Sequence, residues 1–350
     1  MNVPEIDRLR GPVLRSVSRS FYLSLRILPR PLRDPLSLAY LLARATDTVA
    51  DTPGAPRGLR FDALQNLAQA IQGDTSIESA PGLRNSFVGL QSNEAERALL
   101  DAVPATLKWL ALLDDGDRQE VRNVLSKINR GQRLDLERFS TSTSTSIKAL
   151  PTSGDLDEYT YLVAGCVGEF WTRLCFAHLR NFSDRPETEM LALGGQYGKG
   201  LQLVNILRDM GTDLRAGRCY LPEDELRSLG LTADEILARP AGVESIMRQW
   251  REKAERGLTA GIDYAGAIRS RRVRFATALP ALIGARTLFL MREAGAGVFD
   301  RPVKVPRAEV RKIMASSALK LASTSSIRRT FDALQSRPQG GCYSAEKADL

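Results

Sequence analysis

Apolar positions along this chain recur at helical spacing from one end to the other, and no run of two-residue alternation is long enough to make a convincing strand. The spacing predicts helices over residues 6–28, 35–51, 57–72, 93–113, 116–139, 156–179, 186–213, 242–266, 270–294 and 307–336. Breaks fall at the Pro-Arg-Pro of 29–31, at 53–56, 73–82 and 217–222, and at the Ser/Thr tract of 140–146 with Pro151 and Gly154 behind it. None is long enough to demand a domain linker. The expectation is an all-α chain forming one domain over 1–350, with a core from about 11 to 335 and a polar tail over 336–350.

Two helices depart from a plain apolar face. In LAYLLARATDTVAD (38–51), Tyr40, Arg44, Asp47 and Asp51 are spaced four, three and four apart and project onto an arc of about 60°. In YGKGLQLVNILRDMGTD (197–213), Gln202, Asn205, Asp209 and Asp213 fall on an arc of about 80°, with Leu201, Leu203, Val204, Ile206 and Leu207 around the rest. Carboxylates four residues apart lie roughly 6 Å from each other and repel by on the order of 3 kcal/mol at an effective dielectric near 20. Such a face needs cations or solvent, and a solvated stripe with Arg44 and Arg208 as local partners is the plain reading of either helix alone. Two stripes in register, each in an otherwise apolar helix, favour a shared cavity. Their hard oxygen donors suit Mg²⁺, which binds through one or two carboxylates and completes its shell with water and substrate phosphate oxygens. A metal-bound diphosphate is a stabilised leaving group, and a carbocation left behind calls for a dry apolar enclosure beside it.

Composition narrows the setting. A 43% hydrophobic content over 350 residues allows a sizeable core. Four cysteines without CxxC spacing and a single histidine exclude an ordinary Cys/His zinc site, and reduced thiols in a cytosol are the simplest reading. No signal pattern opens the chain, and Arg286 breaks the longest apolar window, 275–291, so a cytoplasmic protein without a transmembrane anchor is expected. The net charge of +8 suits anionic partners: nucleic acid, anionic lipid or phosphorylated small molecules. Its arginines are spread rather than gathered among aromatics, which disfavours nucleic acid, and no protein partner is evident. LGGQYGKG (193–200) lacks the first glycine, the final Ser/Thr and the preceding strand of a phosphate loop, so close helix packing is the better account of its glycines. The Ser/Thr tract reads as a flexible surface loop, with phosphorylation as its rival.

Five stretches in order, SRSF (18–21), YLLARATDTVAD (40–51), YLVAGCVG (161–168), QLVNILRDMGTD (202–213) and GRCYLP (217–222), resemble the squalene/phytoene synthases, over about residues 11–320. The resemblance implies the isoprenoid synthase fold, a bundle of ten or more helices around a central apolar cavity. It also implies head-to-head condensation of two prenyl diphosphates through a cyclopropylcarbinyl diphosphate. By it, Asp47, Asp51, Asn205, Asp209 and Asp213 would hold Mg²⁺, with Ser18, Arg19, Arg44, Gln202, Arg208, Arg218 and Tyr220 against diphosphate. Phe21, Tyr40 and Tyr161 would line the prenyl pocket, where ordinary core packing is the alternative, and Ala164, Gly165 and Gly168 would make room for a tail or merely for a neighbouring helix.

LPALIGARTL (279–288) followed by VKVPR (303–307) is similar to the squalene synthase pattern, in which a late basic segment helps hold NADPH. That assigns Lys304 and Arg307 to the cofactor, with Arg19, Arg44 and Arg208 against phosphates. A plain surface loop is the alternative for 303–307. Leu162 stands where eukaryotic members carry a tyrosine, with Tyr161 one place earlier, and the polar 336–350 replaces their hydrophobic anchor. The expectation is a bacterial-type squalene synthase acting on farnesyl diphosphate, in contact with the inner face of an anionic membrane through basic surface residues. Dehydrosqualene or phytoene synthase is the alternative, and a catalytically inactive assembly protein has no physical need for four converging carboxylates.

Overall fold

A computed structural model describes residues 3–18, 21–52, 54–74, 86–140, 143, 145–240, 242–320 and 324–336. After short helical pieces at Val3–Arg8, Leu14–Ser18 and Phe21–Ile27 come α1 (Arg30–Ala50), α2 (Arg57–Gln72), α3 (Glu94–Asp101), α4 (Val103–Ala111), α5 (Asp115–Arg138), α6 (Ser153–Thr160) and α7 (Cys166–His178). They are followed by α8 (Glu187–Arg215), α9 (Val243–Ala267), α10 (Arg271–Ala294), α11 (Arg307–Lys320) and α12 (Thr324–Gln335). The arrangement is the all-helical isoprenoid synthase fold.

Differences from the sequence reading have local causes. The helix expected over 6–28 is interrupted by a π-helical turn, Leu9–Val13, around Pro12, which has no N–H to offer the ladder. Helix α1 begins at Arg30 rather than 35, because Pro31 sits in the first turn, where no donor is required. The helix expected over 93–113 divides at Ala102, just ahead of Pro104. Residues 156–179 form α6, a π-helical turn at Tyr161–Gly165, and α7. Thr152 opens α6 with a capping box, its side chain accepting from the Asp155 N–H while Asp155 accepts from the Thr152 N–H at 3.0 Å.

A two-stranded parallel pair, β1 (Lys148–Leu150) on β2 (Arg218–Pro222), was not legible, since three residues are too few to show a period of two. Gly217 makes the turn into β2 with φ 84°, and a Cβ there would sit 2.4 Å from the Thr143 carbonyl oxygen. Thr143 and Ser146 exchange backbone hydrogen bonds at 3.0 and 3.2 Å, a local turn within the described part of the Ser/Thr tract. Residues 141, 142 and 144 and the tail beyond 336 lie outside the described residues.

Helix α8 is the axis of the packing, lying against α7, the π turn, α9 and α10. Helix α5 packs on α1, α2, α7 and the π turn. Thus α1 and α8 are held on opposite walls by α5 and α7. Two apolar clusters fill the remainder, one drawn mainly from the first half of the chain and one from the second. The stretch Arg271–Phe299 is long and apolar enough to cross a membrane, but it is mostly buried here as a core helix, and its Arg286 pairs with Glu309 at 2.6 Å. Cys166, Cys175 and Cys219 are free and buried.

Candidate active site

Three cavities meet between α1, α5 and α8. The first, of about 200 Å³, is polar: Asp47 and Asp51 line it from α1, and Asn205, Asp209 and Asp213 from α8. The two acidic stripes therefore face one space. The second, of about 390 Å³, is walled by Leu36, Ala39, Val124, Ile128, Phe170 and Trp171, and it shares Asp47, Gln132, Tyr159 and Gln202 with the first. The third, of about 530 Å³, takes Ser18, Asn93 and Glu96, borders the apolar cavity at Tyr40 and Arg44, and borders the acidic one at Asn205. Polar and apolar chambers joined at one boundary suit an amphiphile with a charged head and a hydrocarbon tail.

A third stripe completes the site. Val124, Ile128, Gln132 and Asp135 on α5 run from the apolar chamber into the acidic one, at spacings of four, four and three. Asp135 went unnoticed in the sequence because it is one isolated carboxylate on a charged helix. Its signal was the apolar stripe ahead of it turning polar at Gln132. Asp135 is the hub of the far wall: Tyr220 Oη donates to Asp135 Oδ1 at 2.8 Å, and an Arg218 Nη lies 3.8 Å from the other oxygen. Tyr159, likewise unforeseen, stacks on Tyr220 with ring centroids 5.2 Å apart and stands at the boundary between the two chambers.

Among the described residues, Arg44, Arg208 and Arg218 of the site are each engaged by a carboxylate. Arg218 donates to Asp213 at 2.9 Å and reaches Asp51 at 3.9 Å. Arg208 forks onto Asp209 at 2.9 and 2.5 Å. Arg44 bridges Asp47 and Glu96, the latter at 2.6 Å. Burial pushes Asp135 and Asp213 up to about 6, with Arg218 opposing the shift in both. Burial and the neighbouring Asp51 push Asp47 to about 6 as well, although 42% of its side chain is open to the cavity. Burial alone would lower Arg44, yet the flanking Asp47 and Glu96 hold it above its ordinary value.

These carboxylates keep protons in the folded chain at pH values where the unfolded chain has lost them, so between about pH 4 and pH 6 stability falls as pH rises. Above about 6 the whole penalty is present. Metal-free protein is therefore expected to melt at a higher temperature at pH 5 than at pH 7. A melting temperature flat across that range, read by circular dichroism, would refute the assignment.

Among the described residues no three Asp, Glu, His or Cys side chains gather closely enough to hold an ion by themselves. The donor set nevertheless fits Mg²⁺: all-oxygen, carboxylates on two facing walls, and room between them for water and diphosphate oxygens to complete the shell.

Other expected residues fall elsewhere. Tyr161 lines none of the three cavities; its hydroxyl contacts Lys127 at 2.9 Å and Glu169 at 3.2 Å, and it lies off the face that Tyr159, Val163 and Val167 present to the apolar cavity. Ala164 and Gly165 also line none of them: the Ala164 carbonyl and the Gly165 Cα face Gly198 of α8, and Val163 and Val167 take the lining places. Gly168 packs on Gly194. Lys304 and Arg307 are exposed and line none of these cavities, since 303–307 runs along the outside ahead of α11. Tyr40 is anchored by donating to the Val17 carbonyl at 3.1 Å, and Ser18 to that of Leu14 at 2.5 Å. Arg19 and the Phe21 side chain lie outside the described residues.

Comparison with known proteins gives the same architecture a family. The squalene/phytoene synthase model matches residues 14–309. A presqualene diphosphate synthase of Rhodopseudomonas palustris is 27% identical over 90% of this chain and 98% of its own length. A bifunctional lycopene cyclase/phytoene synthase of Phaeosphaeria nodorum is 32% identical over 69% of this chain, which spans 38% of that protein's length. Squalene synthase of Schizosaccharomyces pombe is 26% identical, covering 90% of this chain and 66% of its own. Among solved structures, ligand-bound TcSQS superposes with a TM-score of 0.72 at 20% identity, covering 97% of this chain and 94% of its own. With the match spanning most of the chain and the fold in agreement, this protein belongs to the squalene/phytoene synthase family of head-to-head prenyl synthases.

Proposed function

We propose that this protein is a squalene synthase, joining two farnesyl diphosphates into presqualene diphosphate with Mg²⁺ and reducing that intermediate to squalene with NADPH. The observation that supports the first half is the meeting of both aspartate stripes in one polar chamber that opens, past Gln132 and Tyr159, into an apolar one. Bound Mg²⁺ would supply Lewis-acid neutralisation of the departing diphosphate. Asp47 and Asp51 on one wall and Asn205, Asp209 and Asp213 on the other would hold the ions. Their arginine partners, Arg44, Arg208 and Arg218, would then turn from Asp47, Asp209 and Asp213 to diphosphate oxygens. As the C–O bond breaks, its electron pair leaves with the diphosphate, and the allylic cation remains in the apolar chamber, where Leu36, Ile128 and Phe170 exclude water. Closure of the cyclopropane onto the second chain's double bond would release a proton, which an oxygen of the departed diphosphate would accept.

The reductive half rests on the resemblance of the 279–288 and 303–307 segments, in which Lys304 and Arg307, outside the three cavities, would hold the cofactor, and no step is assigned to it. Dehydrosqualene or phytoene synthesis, the same condensation without a reductant, is the second reading, favoured by the likeness to part of a fungal bifunctional lycopene cyclase/phytoene synthase. Incubation with farnesyl diphosphate and Mg²⁺, with and without NADPH, separates them. Squalene formed only with NADPH supports the proposal. Unconsumed farnesyl diphosphate sinks it, and selective use of geranylgeranyl diphosphate moves it to phytoene synthase. A product keeping its central double bond whether or not NADPH is present means dehydrosqualene synthase.

A further inference from the structure

Glu96 belongs to neither aspartate stripe. It lies on α3, the first-turn acid after the Asn93 cap, in a segment whose sequence announces nothing beyond a helix start. Its Oε1 nevertheless accepts from Arg44 Nη2 at 2.6 Å, while Arg44 Nη1 donates to Asp47. The guanidinium is thus gripped on two edges by carboxylates from two different helices, and Glu96 and Arg44 together border the third chamber. Arg208 forks onto Asp209 of the α8 stripe, and Arg218 bonds Asp213 of the same stripe at 2.9 Å with Asp135 and Asp51 farther off at 3.8 and 3.9 Å, whereas both carboxylates on Arg44 are at hydrogen-bond distance.

We propose that Glu96 positions Arg44, keeping hold of Nη2 so that the Nη1 edge is handed from Asp47 to a diphosphate oxygen when Asp47 takes up a metal ion. The inference rests on the diphosphate-binding reading above. A guanidinium has five donors in a rigid planar fork, so anchoring one edge sets the direction of the other. Without Glu96, Arg44 would have no second carboxylate among the described residues once Asp47 turns to metal, and its long stem would sample many rotamers. Glu96 carries a negative charge into an anion site, which weakens ground-state diphosphate binding. Its value lies in orientation, so the effect belongs mainly in kcat rather than KM.

The test is a double-mutant cycle of Glu96→Ala with Arg44→Ala, alongside Glu96→Gln, in the full-length protein with Mg²⁺ and whichever prenyl diphosphate the wild type consumes. Glu96→Ala is expected to lower kcat by about 10- to 100-fold, and Glu96→Gln, which keeps an acceptor oxygen, to stay within about fivefold of wild type. On the Arg44→Ala background, Glu96→Ala should have almost no further effect, because its role acts through Arg44. Additive losses in the cycle would mean that Glu96 acts through structure elsewhere and would overturn the proposal. Faster turnover of Glu96→Ala would overturn it as well, by making the contact a brake. A raised Mg²⁺ requirement in Glu96→Gln would make Glu96 a metal ligand instead. If Glu96→Ala does not fold, the same cycle with isosteric Glu96→Gln and Arg44→Lys decides the matter. Wild-type protein that consumes no prenyl diphosphate refutes the functional reading, whereas an active wild type with an indifferent Glu96→Ala refutes only this inference.

Discussion

Asp47→Ala and Asp209→Ala are each expected to slow consumption of prenyl diphosphate by about a thousandfold, equivalent to roughly 4 kcal/mol of lost transition-state stabilisation. The loss follows from removing a proposed metal ligand from one of the two facing walls of the acidic chamber. Stability should hardly change. Asp47 is already pushed toward its neutral form at about 6 by burial and by Asp51, so its removal relieves repulsion. Its partner Arg44 keeps Glu96, and Arg208, left by Asp209, is exposed enough to be solvated. Single-turnover assays with thermal melts check both halves. Near-wild-type turnover in either variant would end the assignment of the stripes to metal, whereas lost activity accompanied by unfolding would leave the carboxylates structural.

Gly168→Ala is expected to be the most damaging single-methyl change in the molecule. A Cβ at Gly168 would lie 1.9 Å from the Gly194 carbonyl oxygen, which is backbone and cannot rotate away. Helix α7 would have to move off α8 along much of their contact, at a cost of about 3 kcal/mol or more. Because α7 supplies Val167, Phe170 and Trp171 to the apolar chamber, the displacement should also enlarge that chamber and lower product yield. Denaturant unfolding of the variant against wild type measures the first effect, and an unchanged midpoint would contradict the packing seen here. Gly266→Ala is the control, since a Cβ there meets nothing within 4 Å.

Much of this architecture is written in spacing. Tyr40, Arg44, Asp47 and Asp51 share a face because a helix turns 100° per residue, and the same arithmetic aligned Gln202, Asn205, Asp209 and Asp213 before any fold was known. The apolar remainder of both helices required burial, and the oxygen-only donor set pointed to a hard cation. Other features had no local signature. Asp135 and Glu96 are single acids on helices with several others, and what marks them is a partner 83 and 52 residues away in the chain, Arg218 and Arg44 respectively.

Tyr159 and Tyr161 stand two residues apart in one predicted helix. Two residues apart on a helix they point to opposite sides, so only one can face the chamber, and the packing of this segment gives that face to Tyr159 with Val163 and Val167. Chain-local chemistry thus determined which helices form and which faces of them are polar. Only the tertiary structure decided which faces meet, because that depends on how closely α7 approaches α8 and how α5 and α7 pack on α1, and both are set by contacts between residues remote in sequence.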